Sequence, residues 1–266
     1  MTQPAPTAPL VFITGASSGL GQALAARYHG AGWRLALSAR RSEALHAWAG
    51  ALDPQAPGRI GIYGADVADA DAIVAAGRAC IAQQGLPDVV IANAGISIGI
   101  DTAERADIDV LARLLAVNNV GLAATFHPFV AAMARRGSGR LVGIASVAGI
   151  RGLPGHGGYC ASKAGVIAYC ESLRGELRGT GVKVVTIAPG YIDTPLTRGN
   201  RYAMPFLMPA DAFADRAFHA IGRGDRWRVI PWQMGVAAAI MRVLPAGLFD
   251  RLAAGRPRKH RAGEPG

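Results

Sequence analysis

At 266 residues the chain is long enough to bury one substantial α/β core, and its length calls for no second domain. Its 28 basic against 18 acidic residues leave a formal charge of +10, but no interleaving of aromatic and basic residues and no reader motif supports a nucleic-acid partner. Three cysteines, Cys80, Cys160 and Cys170, have neither zinc-site nor disulfide-framework spacing, so the sequence points to no metal and to a reducing, cytoplasmic setting.

Residues 1–9 are proline-rich, poor in large apolar side chains and without the charged and apolar regions of a secretion signal, so a disordered tail is expected there. From residue 10 onward, short apolar runs rich in β-branched residues alternate with longer alanine-rich stretches of helical spacing. Buried parallel strands and their crossover helices produce that pattern. Strands are expected at 10–13, 34–38, 60–63, 89–92, 140–145, 182–188 and 227–230, and helices at 20–31, 42–51, 70–84, 108–135, 159–178 and 211–221. The implied fold is a single α/β domain over 10–231, Rossmann-like and doubly wound, with seven parallel strands and helices on both faces.

Beyond it, 232–255 is an amphipathic extension carrying Trp232, Met234, Ile240, Leu244, Leu248 and Phe249, interrupted by Pro245. It either packs on the substrate loops or a partner subunit, or lies on an anionic membrane as a peripheral contact. Packing is favoured, because the charges are not confined to one helix face. The most apolar late stretch, 229–241, contains Pro231 and Gln233 and stops at Arg242, short of the roughly 18 residues of a membrane span. From Arg251 on, Arg256, Arg258, Lys259 and Arg261 join it against Glu264 alone, and 256–266 is expected to be a disordered, solvated basic arm.

Directly after the first strand comes Thr14-Gly15-Ala16-Ser17-Ser18-Gly19-Leu20-Gly21, then a helix. Glycines here permit positive φ and remove the Cβ that would hold a pyrophosphate away, while N–H groups of the first helical turn face the anion. The glycine spacing departs from G-x-G-x-x-G, so its strand–turn–helix context carries the reading. At the end of the second strand stands Ser38-Ala39-Arg40-Arg41. A carboxylate there would bind a ribose 2′-OH, and a cation pairs with a 2′-phosphate, so Arg40 selects NADP(H) over NAD(H). The competing reading is that Arg40 and Arg41 begin a solvated helix.

Further motifs follow in order: Asn93-Ala94-Gly95 after the fourth strand, Asn118 to Gly121 in the long helix, Ser146 ending the fifth strand, Tyr159-Cys160-Ala161-Ser162-Lys163, and Pro189-Gly190-Tyr191-Ile192-Asp193-Thr194 after the sixth. With the glycine loop, they resemble the TGxxxGxG, NNAG, NxxG, YxASK and PGxxxT motifs of the short-chain dehydrogenase/reductase superfamily, over residues 10–231. The departures are Ala92 for the first asparagine of NNAG and Ala145 for the first of the usual two serines.

The resemblance implies an NADP(H)-dependent oxidoreductase working between a carbonyl and an alcohol, with Asn118, Ser146, Tyr159 and Lys163 as its catalytic set. It implies cofactor contacts from Gly15, Ser17, Ser18, Gly19, Leu20, Gly21, Asp66, Val67, Asn93, Ala94, Gly95, Pro189, Gly190, Ile192 and Thr194, with Tyr159 and Lys163 touching it too. Asp66 accepts from the adenine amino group in that reading; as an isolated residue it would equally serve as an N-cap.

Tyr159 and Lys163 stand four apart, one turn on a helix face, so the ammonium is expected to favour the phenolate. Tyr159 then exchanges the proton with a substrate oxygen that Ser146 polarises. Asn118 is expected to distort its helix and hold a water linking Lys163 to solvent. The helices at 108–135 and 159–178 correspond to the family's usual subunit contacts, so a homodimer or homotetramer is expected. Segments 96–100, 147–156 and 191–208 shape the substrate pocket. The last carries Leu196, Met204, Phe206, Leu207 and Met208, suggesting a lid over a hydrophobic substrate, and His156 is expected at the surface. The alternative function is a redox-inactive, nucleotide-binding regulatory protein on the same fold.

Overall fold

The computed structural model describes residues 8–53, 58–200, 202–255, 258–261 and 263; most of the expected N-terminal tail, residues 1–7, lies outside them. The sheet is built from β1 (Leu10–Thr14), β2 (Arg34–Ala39), β3 (Ile60–Gly64), β4 (Val89–Ala92), β5 (Gly139–Ile144) and β6 (Val182–Pro189). Two short strands not expected from the sequence, β7 (Ile192–Asp193) and β8 (Met208–Pro209), pair with each other, and β9 (Trp227–Ile230) completes the main sheet. All seven main strands are parallel, in the order β3-β2-β1-β4-β5-β6-β9.

The apolar runs are continuous because both faces are covered. In β1, Leu10 and Phe12 enter a cluster with Phe129 and Met133, and Val11 and Ile13 enter the opposite one with Leu24 and Phe213. On the first face lie α3 (Ala70–Gln84), α5 (Gly121–Arg136) and α6 (Gly157–Glu176), and on the second α1 (Gly19–Gly30), α2 (Ser42–Leu52) and α7 (Ala210–Arg223). The helix expected at 108–135 is two helices, α4 (Arg105–Leu115) and α5, joined by a π turn over Ala116–Val120. The whole run Arg105–Arg136 is long and apolar enough to cross a membrane by composition, yet α5 packs on α3, β4 and β5 as part of the core. Pro245 divides the C-terminal extension into α8 (Trp232–Val243) and α9 (Ala246–Ala253).

The described parts of both expected tails make contacts, while 256–257, 262 and 264–266 lie, like 1–7, outside the described residues. Ala8 and Pro9 are held, since Arg34 Nε donates to the Ala8 carbonyl at 3.0 Å and the Arg34 N–H to that of Pro9 at 2.8 Å. Residues 258–261 of the basic arm are ordered as well, because acidic groups of 101–107 pair with Arg258 and Arg261. Strand order fixes where a site can form: β1 has β2 on one side and β4 on the other, so the connections reverse direction there and leave a crevice beyond the strand ends.

Candidate active site

The crevice is a cavity of about 420 Å³ lined from both sides of the β1–β4 switch. Gly15 and Gly19 take φ of +66° and +56°, left-handed values that favour glycine. A Cβ on Gly15 would stand 2.8 Å from Ala94 Cα, so the loop closes against β4 only because none is there. Asn93 braces this contact: its Nδ2 donates to the Thr14 carbonyl at 3.0 Å, and its own N–H donates to Thr14 Oγ1 at 3.1 Å. Ser17, Ser18 and Leu20 line the crevice beside Gly15 and Gly19. Gly21 does not; a Cβ there would collide with the Gly15 carbonyl, so this expected cofactor contact instead lets α1 pack on the loop.

Ala94, Gly95, Val67, Pro189, Gly190, Ile192 and Thr194 all line the crevice. Arg40 and Asp66 face each other across its rim, with Arg40 Nη1 3.8 Å from Asp66 Oδ2. The N-cap of α3 is Asp69, which accepts from the Ala72 N–H at 3.0 Å, while Asp66 accepts from the Ala68 N–H in the preceding turn. Sequence reasoning missed Ser38 and Arg41, both lining the crevice at the end of β2. Ser38 Oγ is buried without a hydrogen-bond partner among the described residues, and that isolation is invisible in a strand sequence.

On the crevice floor, Ser146 ends β5 and Tyr159 and Lys163 rise from the first two turns of α6. The Ser146 and Tyr159 side chains line the same crevice, and the Ser146 oxygen accepts from the Ala148 N–H at 3.2 Å, which fixes its direction. Lys163 Nζ donates to the Ile144 carbonyl at 2.9 Å and lies 5.8 Å from the centre of the Tyr159 ring. Burial pushes the Tyr159 phenol up to about 12, with the nearby Ser146 hydroxyl acting against it. Burial pulls Lys163 down to about 8. In the protein alone the phenol is therefore shifted opposite to the expected lowering, with desolvation the largest cause.

Asn118 sits in the π turn, so the expected distortion of the helix is present, but its side chain lies beneath the crevice and not in it. Its Nδ2 donates to the Ile96 carbonyl at 3.0 Å and to Ser162 Oγ at 2.8 Å, and its Oδ1 accepts from the Ile96 N–H at 2.9 Å. Ser162 Oγ in turn donates to the Tyr159 carbonyl at 2.8 Å. Asn118 thus clamps the loop after β4 to the helix that carries Tyr159. His156, expected at the surface, is buried: its Nε2 lies 3.3 Å from the Tyr202 hydroxyl and its Nδ1 3.1 Å from the Pro154 carbonyl.

The crevice meets the requirements of a dinucleotide in three ways: the loop approaches without Cβ atoms, Ser38 Oγ is unpartnered, and no side chain caps the N-terminus of α1. The description of the short chain dehydrogenase family fits residues 9–204. The chain is a short-chain dehydrogenase/reductase. This oxidoreductase is 40% identical over 243 residues to an uncharacterized oxidoreductase of Myxococcus xanthus, covering 91% of this chain and 95% of the relative. It is 35% identical to dehydrogenase/reductase SDR family member 7B of Bos taurus, over 95% of this chain and 82% of that protein.

Among solved structures, the short-chain dehydrogenase of Sphingobium yanoikuyae in complex with NADPH superposes with a TM-score of 0.75 at 26% identity, covering 90% of this chain and 97% of that one. A Burkholderia phymatum short-chain dehydrogenase/reductase in complex with NAD shares the fold at 0.80 and 23%, covering 88% and 92%. Short-chain dehydrogenase/reductases use nicotinamide cofactors, act on small molecules and are commonly oligomeric.

Proposed function

We propose that this short-chain dehydrogenase/reductase is an NADP(H)-dependent enzyme that interconverts a carbonyl and an alcohol on a small, predominantly apolar substrate. The observation that carries the reading is that Ser146, Tyr159 and Lys163 converge on one crevice built for a dinucleotide. Bound there, the nicotinamide supplies hydride in reduction and accepts it in oxidation. Tyr159, protonated over the whole neutral range with its pKa near 12, gives its proton to the substrate oxygen during reduction. Ser146 donates to that oxygen as negative charge develops on it, which favours the transition state over the ground state. Lys163, held to the Ile144 carbonyl, orients the ribose and places its charge where it offsets the phenolate left behind.

Three groups at the end of β2 support the phosphorylated cofactor. Arg40 is half-exposed, with only a long pairing to Asp66; Arg41 lies beside it, and Ser38 Oγ awaits a partner. An arginine fork and a free hydroxyl suit a 2′-phosphate. The apolar character of the substrate rests on Leu196, Phe206 and Leu207, large side chains left exposed in the segment after β7. Leu196 itself lines the crevice. Self-association is proposed on a second surface, where Ile108, Val120 and Tyr169 of α4, the π turn and α6 stand exposed. A cytoplasmic setting is proposed on the three free, buried cysteines.

A panel of ketones and aldehydes, followed by loss of reduced-nicotinamide absorbance with NADPH and separately with NADH, tests this reading. Turnover of apolar carbonyls with a kcat/KM for NADPH about 10-fold or more above that for NADH is expected, the scale of one charge-assisted phosphate contact. Equal use of both cofactors removes the NADP(H) assignment, and no turnover with either removes the carbonyl–alcohol reading.

A further inference from the structure

The ordered part of the basic C-terminal segment joins three loops that the fold otherwise leaves separate. On the side of the loop after β4, the Gly99 N–H donates to the His260 carbonyl at 2.7 Å, and Gly99 and Arg261 form a parallel bridge. A Cβ on Gly99 would collide with the Lys259 carbonyl, so the two backbones touch directly. Arg258 Nη1 meets Asp101 Oδ2 at 3.1 Å. Arg261 Nε meets Asp107 Oδ2 at 2.7 Å, on a carboxylate only 5% exposed that also accepts from the Asp101 N–H. At the loop before α6, Gly155 takes a φ of +73°, and a Cβ on it would stand 2.7 Å from that of Arg258.

Lys259 points the other way. Its Nζ donates to Asn200 Oδ1 at 2.6 Å and to the Leu196 carbonyl at 3.3 Å, in the turn after β7. This ammonium has no carboxylate partner among the described residues, and burial lowers its pKa. Its two acceptors are neutral oxygens, so its position is explained by what it ties together and not by charge pairing. Leu196 lines the crevice, and Ile96, which also lines it, belongs to the loop that Gly99 continues. Ile96 is held by Asn118 at the catalytic end, and Gly99 is held by the strap at the other.

We propose that residues 258–261 form a strap limiting the size of the carbonyl substrate, with Lys259 as the positioning residue that holds the Leu196–Asn200 turn against the crevice. The inference rests on the carbonyl–alcohol reading for its substrate, but its geometry can be tested without turnover. A compact ketone fits beneath a strapped turn, whereas a bulky one must displace it. Loss of the strap should therefore erode discrimination between the two, while Thr194, tied locally through Thr197 Oγ1 to the Ile192 carbonyl, keeps its place in the crevice.

The experiment compares cyclohexanone with 2-adamantanone in the full-length enzyme and in Lys259→Met, Lys259→Arg and Gly99→Ala. Gly99→Ala pushes the strap off from the opposite side without altering its sequence. In Lys259→Met and Gly99→Ala the ratio of kcat/KM for the compact over the bulky ketone should fall about 10-fold, the scale on which apolar pocket shape discriminates. The dissociation constant for NADPH should stay unchanged, and Lys259→Arg, which keeps a donor, should retain most of the ratio. Amide hydrogen exchange over 196–200 should accelerate in Lys259→Met, a readout that needs no substrate. An unchanged ratio in both disrupting variants, or unchanged exchange in Lys259→Met, overturns the strap. If the unaltered enzyme turns over neither ketone, the functional reading is at fault and exchange alone judges the strap.

Discussion

Tyr159 and Lys163 leave their ordinary ranges in opposite directions for one reason. Burial penalises the charged form of each, so the phenol rises to about 12 and the ammonium falls to about 8. Lys163 is cationic below its pKa, so its charge is present at neutral pH and is lost as pH climbs through about 8. Tyr159 stays protonated over that whole interval. The kcat/KM for NADPH, which reports ionisations of the free enzyme, is therefore predicted to be level up to about pH 8 and then to fall about 10-fold per unit. A profile that stays level to about pH 10 would show that the Lys163 charge is not needed. These two residues were legible through their resemblance to the Y-x-A-S-K motif, whose four-residue step on a helix brings them to one face. Gly21 and Asn118 were legible as motif members, but their packing was not: Gly21 lets α1 close on the glycine loop, and Asn118 clamps Ile96. Ser38 carried no spacing signal at all; its meaning lies in a hydroxyl that the fold leaves without a partner.

At the scale of elements, the strands were the most legible because their burial on both faces produces unbroken apolar runs. All seven main strands lie within a residue or two of their expected bounds. The π turn was legible only as a distortion at Asn118; that it divides one long helix into two was not, since nothing in Ala116–Val120 marks the extra residue of a wider turn. The ribbon of β7 and β8 was hidden for another reason: two-residue strands are too short for any periodicity. Packing between helices was likewise out of reach of the sequence. In α3, a Cβ on Gly77 would lie 2.5 Å from Pro128 Cγ and 3.1 Å from the Phe129 ring in α5. Gly77→Ala is therefore predicted to destabilise the fold by about 1–3 kcal/mol through overpacking, despite the better helix propensity of alanine. Denaturant unfolding checks this, and a variant as stable as the parent would mean that α3 and α5 can separate freely.

Across the whole molecule, the C-terminal extension leaves one face uncovered. Trp232, Val236, Ile240 and Val243 are 65%, 51%, 55% and 79% exposed and follow one another at helical spacing along α8. With Leu248 and Leu252 on α9, they form an apolar stripe of the kind that marks an interface. The competing readings in the sequence, a partner subunit or an anionic membrane, both remain compatible with that stripe. We favour a second copy of the chain, because the stripe itself is interrupted by few charges. Light scattering should show a dimer or tetramer that Ile240→Glu shifts to a smaller species. Binding to anionic liposomes that Ile240→Glu abolishes, with no change in assembly, would assign the face to a membrane instead. The basic arm shows why charge composition misled at this scale. Its excess of cations suggested solvation, but Arg258 and Arg261 find their acids in 101–107, far away in sequence and adjacent in the fold.

The central claim, that Tyr159 exchanges the proton with the substrate oxygen, is tested most directly by turnover of Tyr159→Phe on any ketone the parent enzyme reduces, with NADPH affinity measured alongside. The account predicts that kcat falls by about 10²–10⁴-fold while the dissociation constant for NADPH changes little. Turnover within a few fold of the parent, with NADPH bound equally well, would contradict it.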